Sequence, residues 1–92
     1  MIVRWSQTAL RDLESLHEFV SADRPSAATN VVERILAGMD ALSRHPEMGR
    51  KGRVAGNREL VVSPYVVAYR VKNGVVELIA IIHSARRWAG SF

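Results

Sequence analysis

The sequence predicts an α+β domain of order β-α-α-β-β-β, with a helical hairpin packed on one face of a small, mainly antiparallel twisted sheet. Apolar residues recur at helical spacing through the first half of the chain. In the second half, apolar and polar residues alternate as they do in strands. Between the last two strands stand Asn73 and Gly74, which tolerate the two positive φ angles of a type I′ turn.

Length and composition limit the classes of protein to consider. Ninety-two residues suffice for one core, so we expect a single domain over residues 1–92. There is no cysteine, no signal peptide and no apolar run near the ~20 residues of a membrane span. The three histidines lack ligand spacing. We therefore expect a soluble cytoplasmic protein without metal, cofactor or membrane contact.

The charge is distributed unevenly along the chain. The net charge is +4, but residues 1–48 hold five arginines against seven acids, which gives −2. Residues 49–92 hold eight lysines and arginines against two acids, which gives +6. A concentrated positive field attracts anionic partners, so the second half favours nucleic acid or an acidic protein segment.

The first half begins with a short apolar strand at residues 2–5 and continues into two helices. Ser6 is a suitable N-cap for a helix from Gln7 to about Val20. Its predicted apolar stripe is Ala9, Leu13, Leu16 and Val20, and its predicted solvent face is Arg11, Asp12, Glu14, Ser15 and Glu18. Pro25 favours the start of a second helix, which runs to about Ser43 with a stripe of Ala28, Val31, Val32, Ile35, Met39 and Leu42.

Residues 44–57 show no periodicity and predict a long loop, and residues 58–62 predict the next strand. Ser63 and Pro64 then turn the chain into the final hairpin. A two-residue turn at Asn73-Gly74 sets the hairpin register, with these predicted pairs: Lys72–Val75, Val71–Val76, Arg70–Glu77, Tyr69–Leu78 and Val67–Ala80.

This register divides the hairpin into two faces. The first is apolar and is expected to pack on the helices: Tyr65, Val67, Tyr69, Val71, Val76, Leu78, Ala80 and Ile82. The second mixes charged and apolar residues: Val66, Ala68, Arg70, Lys72, Val75, Glu77, Ile79 and Ile81. Because a solvated face is rarely so apolar, we expect it to be covered by the tail with Trp88 and Phe92, a second copy, or a partner chain.

Several residues are candidates for chemistry. His83 follows the last strand and suits acid–base catalysis, although a ring that only packs and hydrogen-bonds locally is an equal alternative. Arg70 opposes Glu77, which favours a cross-strand ion pair. The remaining basic residues near the sheet are candidates for binding a phosphate or a target: Lys51, Arg53, Arg58, Arg86 and Arg87.

Taken in order, the segments of the chain resemble the RelE/ParE superfamily of type II toxin–antitoxin toxins. The similarity covers nearly the whole chain, through WSQTALRDLESLHEFV, HPEMGRKGR, RELVV, PYVVAYRV, VVELIAIIH and ARRW. It implies one toxin domain over residues 1–92, encoded beside an antitoxin, with roles in growth inhibition and plasmid stabilisation. The order β-α-α-β-β-β is also the order of that superfamily.

The resemblance also implies a hetero-oligomer in which an extended C-terminal segment of the antitoxin, often acidic, wraps the toxin. Such a segment lays a helix on the helical hairpin and can add a strand to a sheet edge. We expect it to contact the hairpin and the second face of the sheet through Leu10, Leu13, Val66, Arg70, Ile79, Ile81 and Trp88.

Within the superfamily, ParE-like members inhibit DNA gyrase, whereas RelE-like members cut mRNA on the ribosome. Two departures from the RelE pattern favour the ParE-like action. Val66 stands where RelE-like toxins have arginine, and Trp88 replaces a tail aromatic able to transfer a proton. The alternative is a metal-independent endoribonuclease using His83, Arg58, Arg86 and Arg87, and a second alternative is an inactive binding module.

Overall fold

The computed structural model describes residues 1–85. The predicted order of elements is confirmed, with one short strand added inside the predicted loop. The elements are β1 (Ile2–Trp5), α1 (Gln7–Asp23), α2 (Pro25–Arg44), β2 (Arg50–Lys51), β3 (Arg58–Val62), β4 (Tyr65–Lys72) and β5 (Val75–His83). Trp88 and Phe92, one of the three expected coverings of the second face, lie outside the described residues.

Local signals account for the two helices. The Ser6 hydroxyl accepts from the backbone N–H of Ala9 at 3.0 Å, so the predicted N-cap of α1 is confirmed. Pro25 stands in the first turn of α2, where its missing N–H costs nothing. Only Arg24 separates the two helices, and α1 extends three residues beyond the predicted end. No helix within residues 1–85 is long and apolar enough to cross a membrane.

The five strands form one sheet in the order β1-β5-β4-β3-β2. β1 runs parallel to β5, and the other neighbouring strands are antiparallel. The sheet therefore ends in two edges, the four-residue β1 and the two-residue β2. Strand β2 lies in the segment that was predicted as a loop. The sequence did not reveal it, because a strand of two residues leaves no periodicity.

The β4–β5 hairpin follows the predicted register near its turn and departs from it further away. Asn73 and Gly74 have φ angles of 53° and 73°, as the turn requires. The four predicted pairs from Lys72–Val75 to Tyr69–Leu78 are confirmed. The fifth pair is wrong, because a β-bulge shifts the register by one and Val67 pairs with Ile81.

The bulge exchanges the faces of the last residues of β5, since a shift of one residue reverses which side each residue occupies. Ile81, predicted on the second face, belongs to the core beside the helices. Ala80 and Ile82, predicted in the core, pair with Ala68 and Val66 on the other side. Ile81, a predicted contact with a partner, is thus part of the core and is only 6% exposed.

The core lies between the helices and one face of the sheet. We call this side the helix-covered face; its buried strand residues are Leu60, Tyr65, Val67, Tyr69, Val76, Leu78 and Ile81. The predicted stripe of α2 is confirmed, with Ala28, Ile35, Met39 and Leu42 buried and Val31 and Val32 packed against the core. We call the opposite side the distal face; it carries Glu59, Val66, Ala68, Arg70, Glu77, Ala80 and Ile82.

Candidate functional site

The N-cap and the first turns of α1 supply side chains that hydrogen-bond to the backbone of β5 beside its bulge. The Asp12 carboxylate accepts from the backbone N–H of Ile81 at 2.9 Å. The Ser6 hydroxyl donates to the carbonyl of Ile79 at 3.0 Å, in addition to capping α1. Both backbone groups belong to the region where the regular ladder is disrupted. The prediction that Asp12 lies on the solvent face of α1 is therefore wrong.

Tyr69 anchors the loop that follows α2. Its hydroxyl donates to the carbonyl of Pro46 at 2.7 Å and accepts from the backbone N–H of Gly49 at 2.9 Å. Burial raises the pKa of Tyr69 above the ordinary value of about 10, and the Gly49 N–H opposes this shift. At neutral pH the phenol is therefore protonated and able to donate.

Arg58 reinforces the same anchor. It pairs with Tyr69 in the sheet register, which places it on the helix-covered face. Its guanidinium donates to the carbonyls of Glu47 at 3.2 Å and Gly49 at 2.8 Å. A Cβ at Gly49 would lie 2.5 Å from the Tyr69 hydroxyl, so only glycine allows this close approach. The candidate catalytic arginine is thus bound to backbone acceptors of the loop.

Two cross-strand ion pairs occupy the distal face. Arg70 Nε and Glu77 Oε1 lie 2.8 Å apart, which confirms the predicted pair. Arg50 Nη2 and Glu59 Oε1 lie 3.0 Å apart, and the Glu59 side chain is only 9% exposed. Sequence reasoning missed this second pair, because it depends on the pairing of β2 with β3.

Small and apolar residues lie between these ion pairs. Ala68 pairs with Glu59 on one side and Ala80 on the other, and both alanines are buried. Val66, a predicted contact for a partner, is 5% exposed, whereas Ile79 at the bulge is half-buried. Of these predicted contacts, Ile79 and the half-exposed Arg70 offer more surface than Val66.

His83 lies at the end of β5 and makes local contacts. Its Nδ1 accepts from the backbone N–H of Ala85 at 3.0 Å. Its ring meets Tyr65 edge to face, with ring centroids 5.3 Å apart. This arrangement matches the alternative in which the ring only packs and hydrogen-bonds, and it leaves Nε2 as the nitrogen for any proton transfer.

The predicted basic patch is only partly described. Lys51 pairs with Arg58 across β2 and β3, and both Lys51 and Arg53 are exposed. Arg86, Arg87 and Trp88 lie outside the described residues. Within residues 1–85, no group of three or more histidine, aspartate or glutamate side chains is placed to hold a metal ion.

A shallow apolar groove of about 360 Å³ opens between the two helices. Its lining residues are Leu13, Glu14, His17 and Glu18 from α1 and Val32 from α2. The predicted contact Leu10 lies one turn before Leu13 and Glu14 and is 46% exposed. The groove therefore lies beside the two residues of α1, Leu10 and Leu13, that the sequence predicted as contacts for a partner.

Comparison with known proteins places this architecture in a family. The model of the family described as ParE toxin of type II toxin–antitoxin system, parDE, matches residues 3–88. The chain belongs to the ParE toxin family. The predicted resemblance to the RelE/ParE superfamily is thereby confirmed, and this ParE-family toxin also shares the α+β fold expected from it.

Two relatives match this ParE-family toxin along nearly its whole length. Y4kP of Sinorhizobium fredii, which carries a toxin designation, is 39% identical over 94% of this chain and 91% of its own length. Toxin RelE2 of Caulobacter vibrioides is 34% identical over 91% of this chain and 96% of its own length.

The solved structures that match include chains from a ParDE system and from a RelBE2 complex. A chain of the chromosomal ParDE toxin–antitoxin system of P. aeruginosa superposes with a TM-score of 0.78 and 25% identity, covering 90% of this toxin and 95% of that chain. A chain of the RelBE2 toxin–antitoxin complex of Mycobacterium tuberculosis gives a TM-score of 0.63 and 28% identity, covering 89% and 95%. Similarity alone therefore does not separate a ParE-like from a RelE-like activity.

Proposed function

We propose that this ParE-family toxin acts in the cytoplasm, where a cognate antitoxin holds it in an inactive hetero-oligomer, and that the released toxin inhibits DNA gyrase by binding. The antitoxin part is supported by the similarity to chains of ParDE and RelBE2 toxin–antitoxin assemblies. The gyrase part is supported by the way the described arginines and His83 are used within the chain itself.

The choice of gyrase over mRNA as the target rests on the hydrogen bonds that Arg58 makes within the chain. A nuclease that bears no metal needs cationic side chains to bind the scissile phosphate and an acid or base beside them. Arg58 instead donates to two loop carbonyls. Arg50 and Arg70 are each paired with a carboxylate. These arrangements favour a toxin that binds its target over one that cleaves RNA.

For the antitoxin, the groove between α1 and α2 suits a helix laid along it. Leu10 and Leu13, three residues apart on α1, and Val32 on α2 offer the apolar surface that helix-in-groove binding requires. The two sheet edges, β1 and β2, are the sites available for an added strand. Ile79 at the bulge and Arg70 on the distal face are proposed as further contacts.

A RelE-like mRNA endonuclease is the second candidate, favoured by the similarity to Toxin RelE2 and to a chain of the RelBE2 complex. In that mechanism His83 supplies Nε2 for proton transfer, and Arg86 and Arg87 of the tail supply positive charge. The basic second half of the chain, at +6, would then bind RNA phosphates.

Induction of the toxin without an antitoxin separates these candidates. A gyrase inhibitor should arrest growth and should block supercoiling by purified gyrase when the toxin is in excess. A nuclease should arrest growth while primer extension on cellular mRNA shows codon-linked breaks. Unimpaired gyrase at toxin excess would refute the gyrase proposal. Harmless overexpression would refute both and would support an inactive binding module.

The variant His83→Asn sharpens the test, because its side-chain oxygen can still accept from the Ala85 N–H but cannot transfer a proton. If the toxin inhibits gyrase by binding, His83→Asn should arrest growth as the natural chain does. Loss of toxicity and of mRNA cleavage, with unchanged thermal stability, would instead favour the nuclease.

A further inference from the structure

The groove between the helices carries a charge opposite to that of the chain as a whole. Its apolar residues are Leu13 and Val32, and its polar residues are His17 and the two acidic residues Glu14 and Glu18. Within residues 1–85 neither glutamate takes part in an ion pair, whereas the three ion pairs of this part of the chain lie elsewhere. The net charge of the chain is nevertheless +4. The groove is thus a local acidic site on a basic protein.

We infer that the groove binds an amphipathic helical segment of the antitoxin whose apolar stripe is flanked by lysine or arginine. This inference rests on the proposed antitoxin partner and specifies the chemistry of the segment that enters the groove. An acidic segment of the same antitoxin would then have to bind elsewhere, on the basic half. The antitoxin chain would therefore carry two segments of opposite charge.

The geometry of α1 sets the spacing of the basic residues. Glu14 and Glu18 are four residues apart on one helix, so their Cα atoms are about 6 Å apart along its axis. A docked helix that presents lysines four residues apart can approach both glutamates while its leucines cover Leu13 and Val32. Because both glutamates are exposed, the charges act mainly on selectivity, by opposing a segment with acidic flanks.

Two synthetic sixteen-residue peptides test this inference on the full-length toxin. Both carry the same leucine stripe at positions i, i+3, i+4 and i+7, one with lysine flanks and one with glutamate flanks. Fluorescence anisotropy at low salt should show about tenfold tighter binding of the lysine peptide, and this preference should shrink at high salt. The net charge of +4 favours the glutamate peptide at long range, so the expected preference is specific to the groove.

The double variant Glu14→Lys/Glu18→Lys should reverse the preference between the two peptides. Glu47→Lys, which reverses an exposed charge in the loop after α2 and outside the groove, should leave it unchanged. Thermal denaturation checks that each variant folds. Equal binding of the two peptides, failure of both to bind, or an equal effect of Glu47→Lys would overturn the inference.

Failure of the proposed function would look different. It would appear as absence of growth arrest, or as absence of any complex with the cognate antitoxin. A toxin that binds its antitoxin but shows no peptide preference refutes only the charge selectivity of the groove.

Discussion

The two faces of the sheet are stabilised in different ways. On the helix-covered face, residues such as Leu78 and Tyr69 are fully buried against α1 and α2. On the distal face, alanines lie between two cross-strand ion pairs, Arg50–Glu59 and Arg70–Glu77. Apolar burial contributes far more per residue than partly exposed ion pairs. The helix-covered face therefore provides most of the stability of the fold, and the distal face should tolerate substitutions better.

The largest expected effect comes from the adjacent residues Ile81 and Ile82, which the bulge assigns to opposite faces. Ile81→Ala should lower the free energy of unfolding by about 2–5 kcal/mol, because it leaves a cavity in the core. Ile82→Ala, on the distal face and only half-buried, should cost less than half as much. Urea denaturation measures both. A larger loss for Ile82→Ala would mean that the register continues without a bulge.

A second experiment tests whether Asp12, which accepts from the backbone of β5 beside the bulge, holds the bulge in place. Asp12→Ala leaves the Ile81 N–H without its acceptor and should lower the free energy of unfolding by about 1–3 kcal/mol. Asp12→Asn keeps an acceptor oxygen and should cost less. Ser15→Ala, on the exposed side of α1, is the matched control and should change stability by under about 0.5 kcal/mol. If all three variants unfold at the same urea concentration, Asp12 does not hold the bulge.

The bulge also marks where sequence reasoning stopped being sufficient. Near Asn73-Gly74 the register follows from the turn alone, and four pairs were predicted correctly. Beyond Tyr69 it shifts at the bulge, beside which the backbone of β5 is hydrogen-bonded to the side chains of Ser6 and Asp12, about 70 residues away in the chain. No local pattern in the hairpin encodes these contacts, so alternation alone assigned Ile81 to the wrong face.

At the candidate site too, only contacts that follow from local spacing or strand register could be predicted. The helical stripe of α1 and the pair Arg70–Glu77 could be predicted because each follows from spacing or from register. The anchor of Tyr69 on Pro46 and Gly49 could not, since the loop carries no periodicity. Arg58 therefore looked like a free cation in the sequence, although the fold binds it to the carbonyls of this loop.

That anchor gives the helix-covered face a dependence on pH. Burial raises the pKa of Tyr69, so between pH 10 and the raised value the folded state holds a proton that the unfolded state has lost. Its contribution to stability should be complete below about pH 10 and should be lost as the pH rises through the folded pKa. Tyr69→Phe should cost about 1–2 kcal/mol at pH 7 and should flatten this alkaline decline.

The matched control is Tyr65→Phe, which removes the other tyrosine of the chain. Denaturation by urea from pH 8 to pH 11 compares the two variants with the natural chain. An alkaline decline as steep in Tyr69→Phe as in the natural chain would exclude Tyr69 as its source.

The smallest effect is expected on the distal face, in the pair Arg70–Glu77. Both side chains are partly exposed, at 48% and 27%, so a double-mutant cycle with alanine should give a coupling of about 0.2–1 kcal/mol. High salt should reduce this coupling.

In the pair Arg50–Glu59 the carboxylate is nearly buried, and Arg50→Ala leaves it without its partner. Arg50→Ala should therefore destabilise the fold more than Arg70→Ala. Equal costs would mean that burial of Glu59 does not distinguish the two pairs, and the distal face would then be energetically uniform.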